Sequence, residues 1–157
     1  MINNMDNMNF DLFTPTKLLF GCGKLDELSK QKLPGKKALL LISNGKSVYT
    51  NGAFDRTVAQ LDKAGVEHAV CANIHENPTK EVVMEAAGVA RKNNCDFIVA
   101  LGGGAVLDAA IAVSAMATNP GELWDYVNGG TGKGLPLVNP GLPIVTIATT
   151  SGTGSEI

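Results

Sequence analysis

Between Phe97 and Val113 the chain reads Phe-Ile-Val-Ala-Leu, then Gly102-Gly103-Gly104, then Ala-Val-Leu-Asp-Ala-Ala-Ile-Ala-Val, an order that few folds accommodate. The short apolar run predicts a buried strand, the glycines a sharp break, and the alanine-rich run without Pro a helix leaving the break. The first N–H groups of such a helix lack intrahelical partners, and its macrodipole adds partial positive charge there. A phosphate fits that place. A Cβ would hold a phosphate off the backbone, whereas glycine admits it and also takes φ > 0 at no steric cost. Two readings stand: Gly102, Gly103, Gly104 and Ala105 cradle a pyrophosphate, or the glycines only let the helix pack closely on its sheet. The spacing is not Gly-x-Gly-x-x-Gly, since Leu107 stands where its last glycine would fall.

The rest of the chain supplies more units of the same kind. Residues 1–9 are polar and expected to fray, and Phe10–Phe13 and Lys17–Phe20 read as short extended segments around Pro15. Leu25 and Leu28 predict a short amphipathic helix, Pro34-Gly35 a turn, and Ala38-Leu-Leu-Leu-Ile42 an internal strand. The loop Ser43-Asn44-Gly45-Lys46-Ser47 follows at the strand's C-terminal end, where open parallel sheets place ligands. Phe54, Val58 and Leu61 recur at helical spacing, Gly65 ends that helix, and Glu67–Ala72 reads as a strand. Thr79 is an N-cap candidate for the next helix, which Asn94 and Cys95 close.

After the helix from Gly104 to about Thr118 comes a turn and a short helix in which Trp124 is expected to pack. A Gly- and Pro-rich loop from Asn128 to Gly141 is long enough to count as functional or mobile. Leu142–Ala148 reads as a strand, and a glycine- and hydroxyl-rich stretch follows it. Alternating strands and helices predict one α/β domain over residues 1–157: a doubly wound, mostly parallel, Rossmann-like sheet with helices on both faces.

Composition narrows the function classes. With 45% hydrophobic and 18% charged residues, the 157-residue chain has the make-up of an ordinary soluble globular protein. Its 13 Lys and Arg are scattered and outnumbered by 15 Asp and Glu, so nucleic acid is not an expected partner. The N-terminus has no signal-peptide pattern and no run approaches a membrane span. Cys22, Cys71 and Cys95 are odd in number and far apart, which predicts reduced thiols and a cytoplasmic protein.

Four stretches together point to a family: Gly102-Gly103-Gly104-Ala105-Val106-Leu107-Asp108-Ala109-Ala110, Asn77-Pro78-Thr79, Trp124-Asp125-Tyr126, and Thr149-Thr150-Ser151-Gly152-Thr153-Gly154-Ser155-Glu156. The first is similar to Gly-Gly-Gly-Ser-x-x-Asp-x-x-Lys and the last to Thr-Thr-x-Gly-Thr-Gly-Ser-Glu. From about Phe10 to Glu156 the sequence resembles the N-terminal half of an iron-dependent (group III) alcohol dehydrogenase, near the butanol dehydrogenase branch. The resemblance implies an oxidoreductase moving hydride between a small alcohol or aldehyde and a nicotinamide dinucleotide, in a homo-oligomer.

It also implies a divalent iron or zinc ion held by one Asp and three His of a C-terminal helical domain that these residues do not include. The chain by itself is then expected to be inactive, with no catalytic residue and no metal ligand of its own. Its two histidines, His68 and His75, are expected to be exposed loop residues. Carried over by position, Gly103, Gly104 and Ala105 would meet the pyrophosphate, and Asp108 would lie near the nicotinamide. Asn77 would help hold the adenosine-side ribose or the phosphates, and Thr149, Thr150 and Thr153 would offer donors near the phosphates and nicotinamide ribose. Three positions depart from the pattern: Ile111 at its lysine, Ala105 at its common serine, and Ala148 where many members have Pro.

The loop at 43–47 carries no carboxylate to bind a ribose 2′-hydroxyl and repel a 2′-phosphate. Gly45, Lys46 and Ser47 resemble the loop of NADP-using members, so NADP is expected over NAD. Two alternatives stand beside this reading. One is a dinucleotide-binding module without enzymatic activity; the other is part of an enzyme like dehydroquinate synthase or glycerol-1-phosphate dehydrogenase.

Overall fold

The computed structural model describes residues 11 and 13–156. Residues 1–9, expected to fray, and Phe10 and Leu12 of the first extended segment lie outside them. Along Lys17–Phe20 the chain joins no sheet among the described residues, and Lys17 Nζ donates to Gln31 Oε1 at 2.9 Å. The helix read at Leu25 and Leu28 is a 3-10 helix, Lys24–Lys30, entered through Gly23 at φ 76°.

Among the described residues, four parallel strands form the sheet: β1 (Lys37–Ser43), β2 (Glu67–Ile74), β3 (Phe97–Gly102) and β4 (Ile144–Ala148), in the order β2-β1-β3-β4. β1 and β3 lie at its centre, and Ala38–Ile42 and Phe97–Leu101 are fully buried. Strands covered on both faces need apolar side chains at every position, which is why these two read as unbroken runs. Leu39, Leu41, Ile98 and Ala100 face one core; Ala38, Leu40, Ile42, Phe97, Val99 and Leu101 face the other.

The first core is closed by α3 (Lys80–Lys92) and α4 (Gly104–Thr118). Ala86, Ala87 and Ala90 on α3 and Ala109 and Ala110 on α4 are all buried, and such small side chains let two helices lie close together on the sheet. The second core is closed by α2 (Ala53–Lys63), by the one-turn α1 (Ser47–Thr50), and by Leu28 of the 3-10 helix. Helices therefore cover both faces, as a doubly wound sheet requires. None among the described residues is long and apolar enough to cross a membrane.

At the N-terminal end of the sheet, Asp96 accepts the Lys36 N–H at 2.9 Å and the Lys37 N–H at 2.9 Å, tying the start of β1 to that of β3. Gly35 is required beside it, because a Cβ there would lie 2.2 Å from Asp96 Oδ1. Desolvation pushes the Asp96 carboxyl up, but the N–H groups of Lys36, Lys37 and Asp96 itself together outweigh it and hold the group below the ordinary carboxylate range.

Several boundaries differ from the sequence reading. β2 runs on to Ile74, whose side chain is fully buried. β4 begins at Ile144 and not at Leu142: Pro143 has no N–H to give the ladder, and the Leu142 carbonyl is taken by Ser114 Oγ at 2.6 Å. Trp124, expected to pack, is 42% exposed; in α5 (Leu123–Tyr126) it is Leu123 and Tyr126 that meet the core, while Trp124 Nε1 donates to Thr131 Oγ1 at 2.9 Å. The long loop after α5 is tied down. Lys133, Gly134 and Leu135 donate their N–H groups to Trp124, Val127 and Asp125, and buried Asn119 accepts those of Val138 and Asn139, each at 2.8 Å. His68, expected in a loop, is a half-buried residue of β2. All three cysteines are free; Cys71 and Cys95 are buried, and desolvation raises both thiols above their ordinary value.

Candidate dinucleotide cleft

Beyond the C-terminal ends of β1, β2 and β3 lies an open cleft of about 520 Å³. Ligands of open α/β sheets bind in this position, beside the point where the strand order reverses, here between β1 and β3. The loop after β1 gives one wall (Ser43, Asn44, Gly45, Ser47) and the end of β2 another (Ile74, His75, Glu76). The first turn of α4 (Gly103–Val106) and the loop after β4 (Thr150, Ser151, Thr153) complete it.

The α4 wall is built for an anion. Val106 and Leu107 donate their N–H groups to the Gly103 carbonyl at 2.9 and 3.2 Å, closing the first turn, and no side chain caps it. The N–H groups of Gly104 and Ala105 have no acceptor among the described residues. They are the orphan donors of a helix fifteen residues long, at the positive end of its dipole.

The glycines serve close approach, and none of the three lies at positive φ. Gly103 sits at φ −85°, ψ −175°, extended backbone open to any residue. A Cβ on Gly102 would come within 2.7 Å of Val106 Cγ2, one on Gly103 within 3.3 Å of Thr150 Oγ1, and one on Gly104 within 2.8 Å of Thr153 Cγ2. Gly102 therefore lets the strand turn into the helix, while Gly103 and Gly104 keep the space between α4 and the terminal loop clear. Gly45 differs: its Cβ would meet Ser43 Oγ at an ordinary 3.5 Å, so the fold does not demand glycine there.

Of the residues singled out by sequence, the cleft brings together Gly45, Ser47, Gly103, Gly104, Ala105, Thr150 and Thr153. Lys46 is the exposed N-cap of α1, between lining residues but not itself one. Asn77 stands just past Glu76 in the left-handed region, φ 53°, outside the lining. Asp108 is exposed on α4 one turn beyond the cleft, and Ile111 follows on the same outward face, 58% exposed. Thr149 does not line the cleft but hangs the terminal loop from β3 through its N–H to the Gly102 carbonyl, 2.9 Å.

Sequence reading assigned no role to Asn44 or His75. Asn44 Nδ2 and His75 Nδ1 lie 2.8 Å apart, joining the first two walls. What could have marked them is their place, each directly after a parallel strand at its C-terminal end. The ionisable lining residues are His75 and Glu76. Among the described residues no three of His, Cys, Asp and Glu come together to hold a metal ion.

Comparison with known proteins agrees with this architecture. The family model for iron-containing alcohol dehydrogenases matches residues 15–157. A probable NADH-dependent butanol dehydrogenase of Bacillus subtilis is 36% identical over 149 residues, 95% of this chain and 37% of the relative. A 1,3-propanediol dehydrogenase of Klebsiella pneumoniae is 36% identical over 150 residues, 94% of this chain and 38% of the relative. The crystal structure of the NADH-dependent butanol dehydrogenase A of Thermotoga maritima superimposes with a TM-score of 0.82 at 33% identity, covering 93% of this chain and 36% of that one. The chain thus spans little more than a third of the length of the relatives it matches.

Proposed function

The chain belongs to the iron-containing alcohol dehydrogenase family, and on that premise we propose that residues 1–157 are the dinucleotide-holding domain of an enzyme that moves hydride between a small alcohol or aldehyde and a nicotinamide coenzyme. The observation that carries this is the uncapped first turn of α4, whose free Gly104 and Ala105 N–H groups open on a cleft kept clear by glycine. The pyrophosphate would accept from those donors, and Thr150 and Thr153 line the opposite wall. Asp108 and Asn77, outside the lining, serve the ends of a ligand longer than the cleft.

The family's divalent metal, iron or zinc, would be held by residues outside this chain and would polarise the substrate oxygen as a Lewis acid. The chain alone is inactive in alcohol oxidation. The full protein is a cytoplasmic homo-oligomer. The isolated chain self-associates through apolar surface that includes Ile111 and Val138, 58% and 72% exposed. Strictly monomeric elution over a wide concentration range would count against self-association.

NADP is the preferred coenzyme on this reading, although five of the similar proteins are named for NADH. In the loop Ser43-Asn44-Gly45-Lys46-Ser47, Lys46 and Ser47 offer a 2′-phosphate a cation and a hydroxyl, and no carboxylate is set against it. The test is calorimetry of NADP and NAD with this chain at low salt and without metal, with circular dichroism to establish folding. Binding of either dinucleotide in the micromolar range supports the cofactor domain. A folded chain that binds neither sinks it, and tighter binding of NAD sinks the NADP preference alone.

A further inference from the structure

β1 and β2 part from regular register just before they reach the cleft. Leu41 lies opposite Cys71 and Ser43 opposite Ile74, so β2 spends one more residue than β1 over the same stretch. A bulge of this kind re-aims the side chains that follow it. Beyond it the Asn44 N–H donates to the Ile74 carbonyl at 3.0 Å, and the Asn44 amide meets the His75 ring at 2.8 Å.

When Nδ1 accepts from Asn44 Nδ2, the ring proton sits on Nε2. When both ring nitrogens are protonated, a half-turn of the amide presents Oδ1 to the Nδ1–H. Asn44 therefore holds the ring in both charge states and leaves Nε2–H as a donor. Among the described residues the charged groups on the loops beside the ring are few. Glu76 is its neighbour on the same loop, and Lys46 stands two positions after Asn44 on the loop after β1. The α4 wall and the terminal loop contribute amides and hydroxyls, and Glu85 on α3 is engaged by Asn73 at 2.8 Å. His75 is thus the cleft-lining side chain that can acquire positive charge.

Its distance from α4 gives that charge a target. Two strand spacings, about 10 Å, separate the end of β3 from the end of β2. With a pyrophosphate on Gly104 and Ala105, a nucleoside arm crossing the end of β1 brings its ribose to the Asn44–His75 wall. We propose that His75, steadied by Asn44, discriminates between coenzymes: its Nε2–H contacts the phosphate monoester on the adenosine-side ribose, so NADP gains on NAD. This rests on the dinucleotide reading of the cleft.

The test measures NADP and NAD dissociation constants for this chain in low salt, in the native protein and in His75→Gln. The native preference for NADP should exceed that of His75→Gln by about fivefold. An equal effect of the substitution on NAD and NADP overturns the proposal while leaving dinucleotide binding standing, since the ring would then contact the shared pyrophosphate or neither coenzyme. A folded chain that binds neither coenzyme removes the underlying reading and this inference with it.

Discussion

The Thr149 N–H donates to the Gly102 carbonyl at 2.9 Å, so the loop after β4 hangs from the same glycine turn whose helix it faces across the cleft. Strand pairing runs up to this point, with Gly102 opposite Ala148. The two walls that would grip a pyrophosphate therefore move as one unit.

Between those walls, Gly104→Val should separate binding from stability. The new Cβ would lie 2.8 Å from Thr153 Cγ2, and Thr153 sits on an exposed loop that can give way. Better helix propensity offsets part of the crowding, so unfolding free energy should change by no more than about 1 kcal/mol. Dinucleotide affinity should fall by about tenfold or more, equivalent to about 1.4 kcal/mol, as calorimetry would read. Undiminished affinity would mean that the ligand does not approach α4.

For coenzyme choice, Lys46→Ala should lower the preference for NADP over NAD by about threefold to tenfold at low salt. Because Lys46 is exposed, that difference should shrink as salt is raised. A preference that does not move would assign Lys46 to solvent.

Stability depends on a different asparagine. Asn119 is 4% exposed, accepts from Val138 and Asn139, and donates to the carbonyls of Ala115 and Asn139. Asn119→Ala leaves several of these groups unpaired and should cost about 2–4 kcal/mol in denaturant unfolding. Limited proteolysis should then cut first between 133 and 141, the segment that Asn119 anchors.

Acid should loosen the sheet at its other end. The Asp96 carboxyl titrates below the ordinary range in the folded chain, so the unfolded chain takes up that proton first as pH falls. Its contribution is complete above about pH 4 and is lost as pH drops through the lower, folded value. Asp96→Asn should be less stable than the native chain at pH 7, and the gap should close as pH falls below about 4. A gap that persists at the lower pH would assign the loss to packing.

The central fold was legible because its strands are buried on both faces: Ala38–Ile42 and Phe97–Leu101 leave no polar position to confuse the reading. The glycine turn and α4 were legible from composition and order, and family resemblance sharpened them into a site. The far end of β2 was not. Its extra residue leaves no periodic trace, since the irregularity lies in pairing with β1 rather than in local pattern. Asn44 and His75 were missed for a related reason, as they are thirty-one positions apart and meet only because two parallel strands end side by side. Trp124 misled because its size suggests burial, yet its N–H finds Thr131 at the surface and Leu123 and Tyr126 fill the space beneath. Backbone conformation at Gly102–Gly104 was also beyond reach, because glycine permits positive φ without requiring it.

The strand order β2-β1-β3-β4 has a bearing on how the chain leaves the ribosome. Each new strand can dock on one already made: β2 on β1, β3 on the other side of β1, and β4 on β3. No strand must be threaded between two neighbours, so the sheet can widen outward in step with vectorial synthesis. The last wall of the cleft is the last to be translated. A nascent chain can therefore consolidate the core around β1 and β3 before it has a place for the coenzyme.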